Sequence, residues 1–404
     1  MTTDPKPGAA APSEPPPPSF VEGAPSISWR RRKIAINTGG GDAPGLNAVI
    51  RAATLAAIER GWEVWGIRYG YRSLLDDEVG FMKLDRDAVR GITHLGGTIL
   101  GTANRGDPFH YPTLDPATGQ LVPRDRSVEL VERFKREGFD ALVAIGGDGS
   151  LTLAKRLLDL GIGQVVGVPK TIDNDVAGTD VTFGFDTAVS IATEALDRLH
   201  TTTASHERVM VVEVMGRHAG WIALVAGVAG GADAILIPEL PYDVQRVADK
   251  VMQRERRGRK FSIVVVAEGA KPKGGSITVR SEGDVFRRVE VLGGVAENVA
   301  KAVGELTGKE TRSLVLGHLQ RGGDASASDR VLALRFGSGA VGNLASSAAS
   351  GMVAMRNGEV ILIPLEDAAG KTRNVPPDCG ILRTARSLGI CMGDEAPGHF
   401  DRDV

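Results

Sequence analysis

The stretch Pro169-Lys170-Thr171-Ile172-Asp173-Asn174-Asp175 sets two carboxylates two residues apart, beside a lysine and a threonine. Carboxylates that close are costly unless each is used or solvated. One can act as general base toward a hydroxyl and the other as a metal partner; a polar turn with an Asx cap is the competing reading. Gly146-Gly147-Asp148-Gly149-Ser150 places an Asp between glycines, so its carboxylate can reach a phosphate-bound Mg²⁺ with no side-chain wall beside it. In Gly39-Gly40-Gly41-Asp42-Ala43-Pro44-Gly45-Leu46-Asn47, backbone N–H groups can approach an anion, and Pro44 suits a first helical turn. A structural tight turn reads the same way, and no Gly-Lys-Ser/Thr follows, so this is not a Walker A loop. Met215-Gly216-Arg217-His218-Ala219-Gly220 offers Arg217 to a transferring phosphoryl group, with His218 read as a satisfied turn residue. Glu268 and the run Leu316-Gly317-His318-Leu319-Gln320-Arg321-Gly322-Gly323 supply Glu, His and Arg, which together can hold a phosphate and sugar hydroxyls.

These groups need elements to position them, and each cluster follows an apolar run of strand length. Lys33 to Thr38 reads as a strand, followed by glycines and a helix from about Leu46 to Glu59, with Leu46, Val49, Ile50 and Ala53 at helical spacing. Glu63 to Arg68 is the next strand. Ser127 to Glu137 reads as a helix closed by Gly138, Ala141 to Ile145 as a strand, then a helix to Leu158 and a strand Gln164 to Val168. Asp186 to Leu199 is helical, Arg208 to Val214 and Ala234 to Ile237 are strands, Val244 to Arg257 is a helix, and Phe261 to Ala267 and Thr311 to Val315 are strands. Continuous apolar strands between helices indicate parallel sheets covered on both faces. The expected fold is therefore α/β, with two doubly wound Rossmann-like lobes, and ligands belong beyond the C-terminal strand ends.

Composition narrows the function classes. Lys plus Arg is 48 against 50 Asp plus Glu, which gives no global support for nucleic-acid or membrane-surface binding. Two cysteines, Cys379 and Cys391, exclude a disulfide scaffold and a Cys-rich zinc module and suit a reducing cytosol. Glycine is unusually common, 52 of 404 residues, and clustered, as expected where backbone meets ligand. The longest uncharged apolar run, Ala219 to Ala232, contains four glycines and is shorter than the ~20 residues of a spanning helix. No secretory signal pattern is visible at the N-terminus. Eight of the 21 prolines fall in the first 25 residues, so residues 1–27 read as a disordered Pro-rich tail.

Although the second glycine cluster alone also suits NAD kinases and diacylglycerol kinases, the five clusters in this order resemble the 6-phosphofructokinases. The stretches GGDAPGLN, GGDGS, PKTIDND, VMGRHAG and LGHLQRGG carry that resemblance from about Lys33 to Gly323. It implies a phosphofructokinase fold, with residues 28–184 plus 320–370 as a nucleotide- and Mg²⁺-binding lobe and residues 185–319 plus 371–404 as a sugar-phosphate lobe. It further implies the glycolytic transfer of a phosphoryl group from ATP to the 1-hydroxyl of fructose 6-phosphate in the cytoplasm. By the same resemblance Asp173 matches the general base, Asp148 and Asp175 match carboxylates associated with Mg²⁺, Thr171 and Gly41 lie at the transferring phosphate, and Arg217 stabilises the transition state. Gly41, Tyr71, Gly147, Asp148, Gly149 and Ser150 match nucleotide contacts. Thr171, Asp173, Met215, Gly216, Arg217, Glu268 and Arg321 match the sugar site. Arg208, Arg312 and His318 match the 6-phosphate site, where the two arginines come from a neighbouring subunit, so a homotetramer is implied.

Three departures from the family pattern stand out. Gly101-Thr102-Ala103-Asn104-Arg105 replaces the usual Gly-Ser-Ala-Arg, which shifts the arginine that bridges the substrates to Arg105. His200 and Asp233 stand where allosteric bacterial members carry Arg and Glu. The donor signature is mixed: Gly149 matches ATP enzymes, whereas Lys170 matches enzymes that use pyrophosphate. A pyrophosphate-dependent enzyme is the nearest rival reading. A catalytically silent nucleotide or sugar-phosphate sensor is another, against which Asp148, Thr171, Asp173, Asp175 and Arg217 argue.

Overall fold

The computed structural model describes residues 32–103, 106–281 and 291–394. The proline-rich tail and Arg105 lie outside the described residues. In chain order the first part comprises β1 (Lys33–Thr38), α1 (Leu46–Ile58), β2 (Glu63–Ile67), β3 (Phe81–Leu84), a hairpin of β4 (Tyr111–Leu114) and β5 (Leu121–Arg124), α2 (Ser127–Arg136), β6 (Ala141–Gly146), α3 (Asp148–Asp159) and β7 (Gln164–Pro169). The second part comprises α4 (Phe185–Ser205), β8 (Val209–Val214), α5 (Trp221–Ala229), β9 (Ala234–Leu236), α6 (Val244–Arg256), β10 (Ser262–Ala267), the short pair β11 (Val279–Ser281) and β12 (Val291–Leu292), α7 (Val295–Thr307) and β13 (Thr311–Val315). The chain then runs through α8 (Ala327–Ser346), β14 (Gly351–Arg356), β15 (Glu359–Ile363) and α9 (Gly380–Ser387).

Two sheets organise these elements. A seven-stranded sheet has the order β15-β14-β7-β6-β1-β2-β3, parallel at its centre and closed by antiparallel strands at both edges. A four-stranded, wholly parallel sheet has the order β13-β8-β10-β9. The expectation of two parallel α/β layers holds, and every strand named from the sequence is present within about one residue. One face of the larger sheet packs α1 and α8, through Leu46, Ile50 and Phe336, and the other packs α2 and α3, through Phe134 and Leu151. The smaller sheet is covered by α4, α5 and α9 on one face and by α6 and α7 on the other. The apolar run at Ala219 to Ala232 is largely α5, a buried core helix. No helix among the described residues is long and apolar enough to cross a membrane.

Topology places the site. From β1 the chain moves to β2 on one side and later returns to β6 on the other, so the loops after β1 and β6 open a crevice at a switch point. Gly39 N–H donates to the Ile145 carbonyl at 2.9 Å, which joins those two loops. Two expectations are corrected. Pro44 precedes the N-cap Gly45 of α1 and is not in its first turn. Asp148, Gly149 and Ser150 are not a loop between strand and helix but the first turn of α3 itself, with Gly147 as its N-cap.

Candidate active site

The crevice is built by close approach. A Cβ at Gly146 would lie 2.2 Å from Ser150 Cβ, so the β6 end accepts no side chain where α3 begins. The N-cap Gly147 offers no side-chain cap to α3, so its first N–H groups and the positive end of the helix dipole face the crevice. Gly149 is exposed, and a Cβ there would meet no atom within 4 Å. Asp148 Oδ1 accepts the Gly370 N–H at 2.5 Å. On the opposite wall the Thr102 hydroxyl donates to the Gly40 carbonyl, and the Lys170 ammonium donates to the Gly41 carbonyl.

The loop after β7 carries the paired carboxylates. Thr171 Oγ1 accepts the Asp173 N–H at 3.1 Å, and Asn174 Oδ1 accepts the Thr182 N–H at 3.1 Å. Asn174 itself sits in the left-handed region at φ 52°, which turns Asp173 and Asp175 to their places. Asp173 Oδ1 is buried and has no hydrogen-bond partner. Burial, then the charge of Asp175, pushes the Asp173 carboxyl up to about 7, partly offset by Arg321 and Lys170. Burial also raises Asp175, against the Thr171 hydroxyl and the His218 charge, while Asp148 adds to the rise. His218, expected as a satisfied turn residue, is thus exposed and bears on Asp175. Lys170 is buried, and its ammonium is pushed down to about 8 by that burial and by Arg321.

The facing lip comes from the smaller sheet. Gly216 at φ 137° follows β8, and a Cβ there would lie 2.8 Å from the Ala219 carbonyl oxygen, so only glycine lets the chain turn to present Arg217. Glu268 follows β10; burial raises its carboxyl, opposed by Arg217 and Arg321. Met215 N–H donates to Oε1 of the fully buried Gln320 at 3.3 Å. Arg321 spans the cleft: its NH1 donates to the Asp42 carbonyl at 2.9 Å, and its guanidinium lies against Gly41. Gly41, Asp42, Lys170, Asp173, Glu268 and Arg321 thereby form one electrostatic unit.

Not every expected residue joins it. Tyr71 is a core residue, packed with Ile67, Leu74 and Phe109, its hydroxyl toward Asn37; what it offers a nucleotide is confined to the 5% of its surface left exposed. Arg208 and Arg312 lie at the opposite end of the smaller sheet, Arg312 in register with Met210 at the start of β8. Five strand residues for Arg312 and seven for Arg208, at ~3.3 Å each, put them roughly 16 and 23 Å along the strand from Met215. There both meet Glu310, Arg312 at 2.8 Å and Arg208 at 3.5 Å. His318 is exposed just beyond β13. His200 and Asp233 have local partners: His200 Nε2 lies 2.7 Å from the Gly230 carbonyl oxygen, and Asp233 pairs with Arg254 at 2.7 Å.

Among the described residues no group of three or more His, Cys, Asp or Glu side chains is placed to hold a metal alone. Asp148 and Asp175 are near enough to sense each other's charge. Mg²⁺ takes one or two carboxylates together with substrate phosphates and water, so this pair fits an ion brought in with a phosphate donor.

The family model described as phosphofructokinase matches residues 33–344. The ATP-dependent 6-phosphofructokinase 2 of Clostridium perfringens is 52% identical over 365 residues, 90% of this chain and 99% of that protein. The pyrophosphate–fructose 6-phosphate 1-phosphotransferase of Amycolatopsis methanolica is 50% identical over 351 residues, 86% of this chain and 97% of that protein. Among solved structures, phosphofructokinase from Saccharomyces cerevisiae matches with a TM-score of 0.69 and 34% identity over 83% of this chain, which spans 45% of that longer one.

Proposed function

This chain belongs to the phosphofructokinase family, and from that premise we propose that it transfers the γ-phosphoryl group of ATP to the 1-hydroxyl of fructose 6-phosphate, giving fructose 1,6-bisphosphate and ADP. The observation that carries this reading is Asp173 Oδ1, buried and unpaired at the floor of a cleft lined by Lys170, Arg321 and Glu268. An unpaired, desolvated carboxylate oxygen suits a base that must accept a proton from a bound alcohol.

Asp173 takes the proton of the 1-hydroxyl while O1 attacks the γ-phosphorus. The O1–P bond forms, the bond from the γ-phosphorus to the bridging oxygen breaks, and its electron pair leaves on ADP. Catalysis is then mostly positioning and charge neutralisation. Arg217, Thr171 and the Gly41 backbone hold the phosphoryl group in flight. Asp148 and Asp175 would hold Mg²⁺, which neutralises charge on the donor phosphates. The first turn of α3, from Gly147 to Ser150, takes the donor phosphates, with Arg105 and the Tyr71 edge assigned to the nucleotide. Met215, Gly216, Glu268 and Arg321 orient the sugar, and His318 its 6-phosphate. The larger sheet forms the nucleotide lobe and the smaller sheet the sugar lobe. The unpaired Cys379 and Cys391 suit a cytoplasmic enzyme.

A coupled assay for fructose 1,6-bisphosphate, run with ATP and with pyrophosphate at saturating Mg²⁺, tests the reading. Faster turnover with ATP is expected. Faster turnover with pyrophosphate overturns the donor assignment, and no turnover with either overturns the activity and favours a sensor.

We assign Arg208 and Arg312 to the 6-phosphate site of a neighbouring copy in a homotetramer. Their distance from Met215 supports this, as does β13, an edge strand that leaves Leu314 and Val315 exposed. Arg312→Ala is expected to raise KM for fructose 6-phosphate far more than KM for ATP. Mixed assemblies of Arg312→Ala and Asp173→Ser subunits are expected to regain activity, because some sites then draw an intact Asp173 and an intact Arg312 from different chains. Demonstrably mixed assemblies that stay inactive would place the site within one subunit.

A further inference from the structure

We propose that residues 370–375 form a strap across the carboxylate loops and that Arg373 is a positioning residue, holding the Asp173–Asp175 loop in register with the loop that carries Arg217. None of the five polar or glycine-rich clusters includes this segment, which lies about 200 residues beyond the loop it touches.

The strap meets the site at four successive points. Gly370 N–H donates to Asp148 Oδ1 at 2.5 Å. Thr372 forms an antiparallel bridge with Val176, immediately after Asp175. Arg373 N–H donates to the Asp175 carbonyl at 2.7 Å, and its NH1 donates to the Asn174 carbonyl at 3.2 Å. Val375 N–H donates to Glu239 Oε1 at 2.7 Å, and the same carboxylate accepts the Gly220 N–H at 3.1 Å, at the N-cap of α5.

Arg373 joins two of these groups at once. Its guanidinium carbon lies 4.5 Å from the centroid of the Trp221 ring, and its own carbonyl accepts the Trp221 Nε1–H at 2.9 Å. Trp221 opens α5, four residues beyond Arg217. Arg373 also donates to the backbone carbonyls of Asn174 and Asp175. Asn174 is the left-handed residue between the two carboxylates, and a non-glycine residue keeps such a backbone only where its surroundings hold it there. A planar guanidinium can lie flat on an indole while donating in its own plane; an ammonium cannot do both. Arg373 thus ties the base-carrying loop of the larger sheet to the first turn of a helix in the smaller one.

This proposal rests on the phosphofructokinase reading, and its test separates the two. The parent is assayed first, with ATP and with pyrophosphate, and each variant is then compared with the parent using the preferred donor. Arg373→Ala is expected to lower kcat by about 10- to 100-fold, the scale of a misplacement near 1 Å, with both KM values within about 3-fold of the parent. Arg373→Lys restores the charge and one donor and is expected to recover several-fold of that loss. Trp221→Phe keeps the ring face but removes the Nε1–H donor and is expected to lower kcat by a few-fold. Each kcat is referred to the folded fraction from a circular-dichroism melt. Should Arg373→Ala not fold, the other two variants decide: kcat at the parental value in both overturns the proposal. A lowered melting temperature with unchanged kcat makes the strap structural and also overturns it. An inactive parent overturns the reaction itself, and the strap's part in it with the reaction.

Discussion

Asp173→Ser is expected to lower kcat by roughly 10²–10⁴-fold, the usual worth of a positioned general base, with KM for fructose 6-phosphate within a few-fold of the parent. The expected separation of activity from stability follows from the surroundings of the side chain. Oδ1 has no hydrogen-bond partner, so its removal there orphans no donor. Asp173 also faces Asp175 and Glu268, whose charges work against its own, so removal relieves like-charge repulsion. The local turn survives, because Thr171 Oγ1 is bonded to the Asp173 backbone N–H and not to its carboxylate. Steady-state kinetics with a thermal melt checks the point: the melting temperature should hold or rise while turnover collapses. Near-parental turnover would remove Asp173 from the role of base.

The second large effect belongs to Gly149. ATP must place its α-phosphate and adenosine beyond the β-phosphate, against the first turn of α3. An Asp at that position sets a carboxylate against the α-phosphate; at ~4 Å and an effective dielectric of ~20 a like-charge pair costs on the order of 4 kcal/mol before screening. That is roughly a thousandfold in an equilibrium or a rate. Pyrophosphate has no α-phosphate and escapes the penalty. The protein itself has room for the change, since a Cβ at 149 meets no atom within 4 Å. An acidic residue in a first helical turn is, if anything, favourable by about 0.3–1 kcal/mol. Gly149→Asp is therefore expected to keep its fold, to lose most ATP-dependent activity, and to expose slow pyrophosphate use. Lys170 does not stand against ATP: its ammonium donates to the carbonyl of Gly41, the residue assigned in the proposed reading to the terminal phosphate, which both donors possess. Overall similarity does not decide the donor, since relatives 52% and 50% identical carry names with different donors. Initial rates with both donors, for parent and variant, measure the switch; unchanged ATP turnover in the folded variant would dismiss Gly149 as its determinant.

The strand–glycine–helix units were legible because two signals coincide there. Buried parallel strands read as unbroken apolar runs, and the glycines that end them are demanded by contacts a few residues away, as between Gly146 and Ser150. The return of the chain to the larger sheet follows from the resemblance, which puts residues 320–370 with the first lobe, and not from the local pattern. In α8, Gly337, Gly339 and Gly342 resemble helix breakers, yet a Cβ at Gly337 would lie 2.5 Å from the Val49 carbonyl oxygen; the glycine is there so that α8 can press on α1. Such a need arises from a partner almost 290 residues away and leaves no local trace. The same is true of Arg373, which looks like an ordinary loop arginine until Trp221 and Asn174 are beside it. The carboxylate pair and Arg217 were readable from spacing, whereas the placement of Arg208 and Arg312 depends on which end of a strand faces the cleft.

Synthesis order gives the larger sheet a particular exposure. β7 is flanked by β6 and by β14, and β14 is translated some 180 residues after β7. At ~5–20 residues per second the ribosome needs on the order of 10 s or more to deliver that partner. Throughout that interval Gln164–Pro169, an apolar segment buried in the finished protein, is an open edge able to pair with any other nascent chain. In the smaller sheet the corresponding wait is about half as long, since β13 follows its inner neighbour β8 by roughly 100 residues. A chaperone that covers the β7 edge during its interval is therefore expected to raise the folded yield.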